Sequence, residues 1–218
     1  MHIEVTEAAQ RCHRWLVSEA LPLWGAQGVD PERGLFAEGL DNTGQPLWQP
    51  TRFRVQSRQI YVLSHATLLG WYDGRTFAER SALVGMGHFD DGAGHSVFSI
   101  NRDGSIADAS VCSYEYAFAL LAECWLYRLS GDPRWQQQAE SRYQAIEQLF
   151  SDPLHGGFHS SWPSGPLRSQ NPHMHLFEAL LVAADSFDDV IWQQRATALY
   201  RLFRQRFLEP GLLREFFD

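Results

Sequence analysis

The sequence predicts an all-α (α/α)6 toroid, a ring of alternating inner and outer helices with short β-hairpin loops, of which it holds roughly the first half to 60%. Three observations predict it. Apolar residues recur at helical spacing over most of the chain. A glycine-rich segment with a phenylalanine returns three times, placing Phe36, Phe98 and Phe158 62 and 60 residues apart. Each interval holds two helices, and about sixty residues is too long for the common two-helix solenoid repeats. Six such units need about 360 residues, so residues 1–218 read as a single domain, the N-terminal portion of a truncated ring.

Taken in order, the first helical pattern covers 6–27, and the first hairpin segment is "RGLFAEGLDNTG". A helix over 53–72 ends at the "DG" of 73–74, and 75–88 carries the next. After "HSVFSINRDGS" comes 113–130, closed by "SGD" at 130–132; Asp132-Pro133 then opens 133–150 as N-cap and first helical proline. "HGGFHSSWPSG" precedes helices at 172–186 and 188–208, and Asn171-Pro172 reads as a second cap-and-proline start. "LLREFFD" begins where the period places a fourth hairpin. An open helical array is the bland alternative. A half-ring leaves inner-helix surface uncovered, which predicts a sticky chain and a homodimer.

Composition narrows the function. A net charge of −8 argues against nucleic-acid and anionic-membrane partners, and no apolar run reaches membrane-spanning length. The N-terminus has no signal-peptide core, and Cys12, Cys112 and Cys124 lack metal spacing; both suit reduced thiols in a cytoplasmic protein. There is no lysine: all 18 basic residues are arginine, which excludes Schiff-base chemistry on the protein and a P-loop.

The candidate chemistry lies near the starts of the second, fourth and sixth helices. Their core-type runs are interrupted early by Gln56 and Arg58, by Tyr114 and Glu115, and by Asn171, His175 and Glu178. With inner helices parallel, these sets reach one mouth of the ring. There they suit a neutral polyhydroxylated small molecule, a monosaccharide or disaccharide, with tryptophan and phenylalanine as stacking faces. Each residue also has a structural reading. Arg58 neutralises a carboxylate, Tyr114 is a core tyrosine, and Asn171 caps its helix. His175 and Glu178, three apart, share a face as a proton-transfer unit or a structural pair. His173 and His175, two apart, cannot share a metal in the i, i+4 manner, and His173 reads as bystander or rim. His155 and His159 are four apart, but within a hairpin. Asp90-Asp91 reads as turn chemistry.

The segments "VQSRQIYVLSHA" (55–66), "YEYAFALLA" (114–122) and "NPHMHLFEALL" (171–181), with "GLFAEGLDNTG" and "LREFFD", resemble the N-acylglucosamine 2-epimerase superfamily. That group includes acylglucosamine and cellobiose 2-epimerases and mannose and sulfoquinovose isomerases, and "NPHMH" looks most like the isomerase branch. The resemblance implies cofactor-free, metal-free proton transfer at the carbon beside a sugar carbonyl, through a cis-enediolate. It implies that Arg58 stabilises the enediolate, that Tyr114 and Asn171 touch substrate hydroxyls, and that His175 positions the substrate and shares in proton movement, with Glu178 behind it. It places the two acid–base histidines beyond residue 218. The expected activity is therefore an aldose–ketose isomerase acting on a sugar such as D-mannose, with a sugar 2-epimerase as alternative. Two readings from other classes stand beside it. A glycoside hydrolase of the same architecture would draw its carboxylates from Asp108, Glu115 and Glu215; a helical scaffold would have no ligand.

Overall fold

The computed structural model describes residues 2–165 and 168–217. Eight α-helices carry the fold: α1 (His2–Trp15), α2 (Leu21–Gln27), α3 (Phe53–Leu68), α4 (Arg75–Arg80), α5 (Ser113–Ser130), α6 (Pro133–Phe150), α7 (Gln170–Ser186) and α8 (Val190–Arg206). A π-turn over Leu16–Ala20 joins α1 to α2, so the pattern read at 6–27 is one interrupted helical run. The pattern at 75–88 likewise breaks into α4, a π-turn over Ser81–Gly85 and a tight turn over Met86–Phe89. Here Gly85 passes so close to the chain that a Cβ on it would lie 2.1 Å from the Gly34 carbonyl oxygen.

α5 packs between α3 and α7, while α4, α6 and α8 form the outer layer. This central position explains why α5 is buried on nearly all sides, from Tyr116 through Cys124. One core cluster joins α5, α6, α7 and α8 around Tyr143, Phe150, Leu176 and Trp192; a second joins α2, α3 and α4 with Leu126 and Trp135. The arrangement is a partial helical toroid.

The hairpin segments do more than turn. The strand before each inner helix pairs antiparallel with the hairpin of the next unit: Thr51–Arg52 with Ser99–Ile100, Val111–Cys112 with Ser161–Trp162, and Arg168–Ser169 with Phe216–Phe217. The first amide of each inner helix then donates across the same seam, Phe53 to the Phe98 carbonyl, Ser113 to Ser160 and Gln170 to Glu215. The fourth hairpin predicted at 212–218 is thus present through Phe217; Asp218 lies outside the described residues.

These seams correct one sequence reading. Asn171 is not an N-cap, because α7 begins at Gln170 with Ser169 in extended conformation before it. The amide that a cap would serve is already taken by the Glu215 carbonyl, and Pro172 falls inside the first turn, where its missing N–H costs nothing. Outer helices have no such seam and use side-chain caps instead: Asp132 accepts from the Arg134 amide and Asp189 from the Ile191 amide.

The fourth residue of each inner helix turns outward and fastens its own preceding hairpin. Gln56 accepts from the Phe36 amide at 2.7 Å and donates to the Phe36 carbonyl at 2.8 Å. The Tyr116 hydroxyl accepts from the Ser96 amide at 2.9 Å. His173 Nε2 accepts from the Phe158 amide at 2.9 Å while its Nδ1 donates to the Ser169 carbonyl at 2.7 Å. His173 is therefore a buried fastening, not the rim residue its spacing suggested. Burial lowers its imidazole to about 4, with Arg168 pushing the same way against the Ser169 carbonyl.

Candidate functional site

Positions 2, 6, 9 and 13 of each inner helix fall on one stripe by helical geometry, facing away from the fastening positions. On α3 the stripe is Arg54, Arg58, Tyr61 and His65; on α5 it is Tyr114, Phe118, Leu121 and Trp125; on α7 it is Asn171, His175, Glu178 and Val182. Side by side they make a polar and aromatic concave wall.

Its centre is Phe118. The Arg58 guanidinium lies 5.0 Å from the Phe118 ring centroid, and the His175 ring lies 4.5 Å from it at 40°. Tyr114 meets His175 edge-on at 5.2 Å and 88°. His175 Nδ1 is 2.9 Å from Glu178 Oε2. An ionised carboxylate only accepts, so the proton sits on Nδ1 and the Nε2 lone pair is directed elsewhere. Glu178 also reaches α3: burial raises the Tyr61 hydroxyl, and the charge of Glu178 raises it further. Lower on the wall, Tyr61 and His65 pack against Trp125 at 5.2 and 4.2 Å. Burial lowers the His65 imidazole, and Arg128 adds to the shift.

Arg58, Tyr114, His175 and Glu178 are thus brought together. Asn171 is exposed one turn above His175 on the same stripe, with no hydrogen-bond partner among the described residues. The reading of Arg58 as a partner for a carboxylate is not met; no ion pair to it forms among the described residues. That role belongs to Arg54, which sequence reasoning missed. The Arg54 amide donates to Glu115 Oε2 and its guanidinium to Oε1, both at 2.5 Å, while its Cζ stands 5.3 Å from the Tyr114 ring centroid. Glu115 is buried, which pushes its carboxyl up against the pull of Arg54. The signal for Arg54 was available: it lies four residues before Arg58, on the same face.

The carboxylates proposed for hydrolysis do not converge. Glu115 is held by Arg54, while Asp108 is exposed and binds the Ser110 amide and hydroxyl. Glu215 contributes its carbonyl to the α7 seam. His155 and His159 both approach buried Asp152, at 3.1 and 4.0 Å, beside Arg168. Among the described residues no group of three or more His, Cys, Asp or Glu side chains could hold a metal ion. No described helix is long and apolar enough to cross a membrane.

Comparison with known proteins matches residues 34–218 to the family model of N-acylglucosamine 2-epimerase. The chain is 37% identical to a mannose-6-phosphate isomerase of Rhizobium meliloti, covering all of this chain and 57% of that protein. It is 30% identical to a D-mannose isomerase of Thermobifida fusca, over 93% of this chain and 51% of the other. The crystal structure of cellobiose 2-epimerase from Spirochaeta thermophila superposes with a TM-score of 0.84 at 20% identity, over 99% of this chain and 58% of that one. The chain therefore spans between half and three-fifths of the length of these relatives.

Proposed function

The chain belongs to the N-acylglucosamine 2-epimerase family, and on that premise we propose that its concave wall is one side of a sugar-isomerising site. The favoured reaction interconverts a free aldose such as D-mannose with its ketose. The C2–H bond of the open-chain sugar breaks, the carbonyl becomes a cis-enediolate, and a proton is delivered to C1 as the O2 proton passes to O1. Delivery to the opposite face of C2 instead would give the 2-epimer, the alternative activity. No step calls for a metal or an organic cofactor.

One observation carries this reading: Arg58 has no carboxylate beside it, whereas Arg54, one turn earlier, is fully paired. A guanidinium kept free over an aromatic face is a fork of donors for oxygens that gain charge as the enediolate forms. His175, oriented by Glu178, presents Nε2 beside it to position the sugar and carry a proton; Tyr114 and Asn171 would hold hydroxyls at the mouth. A cytoplasmic site of action fits the three free cysteines. The uncovered groove between α7 and α8, about 420 Å³ with Leu181 and Tyr200 exposed, suits further helices or a homodimer partner.

The test is proton NMR in deuterated buffer with D-mannose, D-glucose, N-acetylmannosamine and cellobiose. It would be run on this chain and in parallel on a chain continued to its relatives' length. The expected result is deuterium-labelled ketose from D-mannose, with Arg58→Ala reducing turnover about 10²–10³-fold. Release of monosaccharide from cellobiose, or no exchange in either chain, would overturn the proposal.

A further inference from the structure

Behind the concave wall, α5 carries an acid that the proposed chemistry does not use. Glu123 is 2% exposed and sits about half a helical turn from Trp125, hence on the outward side of α5. Its Oε1 accepts from Arg142 Nε and Nη2 on α6, both at 3.1 Å, and Arg142 Nη1 donates to the Ser96 hydroxyl at 3.2 Å. Its Oε2 is buried with no hydrogen-bond partner. That oxygen borders a cavity of about 220 Å³ lined by Gly94, Tyr116, Glu123, Gln138, Ser141 and Arg142.

From this unpartnered oxygen and the groups around it, we infer that the cavity between α5 and α6 is a second binding site, for a compact neutral polyol. The volume is that of roughly seven waters at about 30 Å³ each, too small for a disaccharide. Oε2 requires a donor. Arg142 commits three of its five N–H groups to Glu123 and Ser96, so it has donors left that require an acceptor. A hydroxyl is both, and two adjacent hydroxyls span the pair, one giving to Oε2 and one taking from the guanidinium. A cation would face the guanidinium, and an anion would face the bare carboxylate oxygen, so net charge is disfavoured either way. Gln138 supplies a donor and an acceptor at the mouth. The roof is the 90–96 loop, fixed by Asp91, whose carboxylate accepts from the Ala93 and His95 amides. Occupancy would therefore bear on that loop through Ser96.

This site is independent of the activity proposed for the concave wall and is tested separately. Amide and arginine Nε resonances would be followed by ¹H–¹⁵N NMR during titration with glycerol, D-mannitol and D-mannose, with ammonium and inorganic phosphate as charged probes. The expected result is saturable shifts at Gly94, Ser96 and Arg142 with at least one polyol and with neither ion. Affinity should fall at least tenfold in Glu123→Gln and in Ser141→Trp, which blocks the mouth from an exposed position, and stay unchanged in Arg58→Ala. Should Glu123→Gln fail to fold, Ser141→Trp alone decides. Three results would overturn the inference: shifts confined to the concave wall, tighter binding of either ion than of any polyol, or no saturable shift alongside a long-lived water signal at Gly94, which would mean an ordered water only.

Discussion

Replacing His173 with glutamine isolates the energetic role of a buried histidine. Wild-type His173 is neutral in the fold, its imidazole lowered to about 4 from an ordinary 6.5. The unfolded chain therefore binds a proton there from pH 6.5 downward while the native chain does not. Stability contributed at this residue is complete above pH 6.5, falls as pH drops, and is fully lost near pH 4. At about 1.36 kcal/mol per pH unit, lowering pH from 7 to 5 removes about 2 kcal/mol through this group. Glutamine already does the same work at the equivalent turn, where Gln56 accepts and donates at the Phe36 backbone. His173→Gln should therefore fold, keep an acceptor for the Phe158 amide, and lose the acid sensitivity. Urea unfolding at the two pH values, followed by tryptophan fluorescence, gives the double difference in which all other titrating groups cancel. The variant should lose about 2 kcal/mol less than wild type on acidification. Equal losses, within about 0.5 kcal/mol, would refute the assignment of His173 as a neutral buried fastening.

Glu115→Ala should destabilise the protein by about 3–5 kcal/mol in denaturant unfolding, because it leaves the Arg54 guanidinium and amide without their acceptor. A loss under about 1 kcal/mol would mean that water takes over the pair. Gly157→Ala should cost about 2–4 kcal/mol, since Gly157 has φ +76° and a Cβ there would lie 2.7 Å from His173 Nε2. Its neighbour Gly156 has the same φ, but a Cβ on it meets Leu202 only at 3.4 Å; Gly156→Ala should cost about 1 kcal/mol, and thermal midpoints would rank the two.

The reason some of this structure was legible and some was not lies in where each helix finds its capping partner. Helices α5 and α6 match their predicted bounds, 113–130 and 133–150, because their junction is written locally: Gly131 takes φ +68° and Asp132 caps the next helix before Pro133. The starts of the inner helices are written elsewhere in the chain. Phe53, Ser113 and Gln170 give their amides to carbonyls at 98, 160 and 215, so no local cap is needed and Asn171 mimics one that does not exist. The same separation hides the fastening residues. Glutamine, tyrosine and histidine share no pattern, yet each does one job at the fourth helical position, accepting a hydrogen bond from its own hairpin. Arg58 and His175 were found because polar groups on a core-facing stripe stand out. Arg54 and Phe118 were passed over, one because its acid lies 61 residues away and the other because it looks like core. A non-local cap also makes each seam depend on the following unit. The start of α3 needs the second hairpin, α5 the third and α7 the fourth, so the segment at 212–217 completes α7 and with it the mounting of His175.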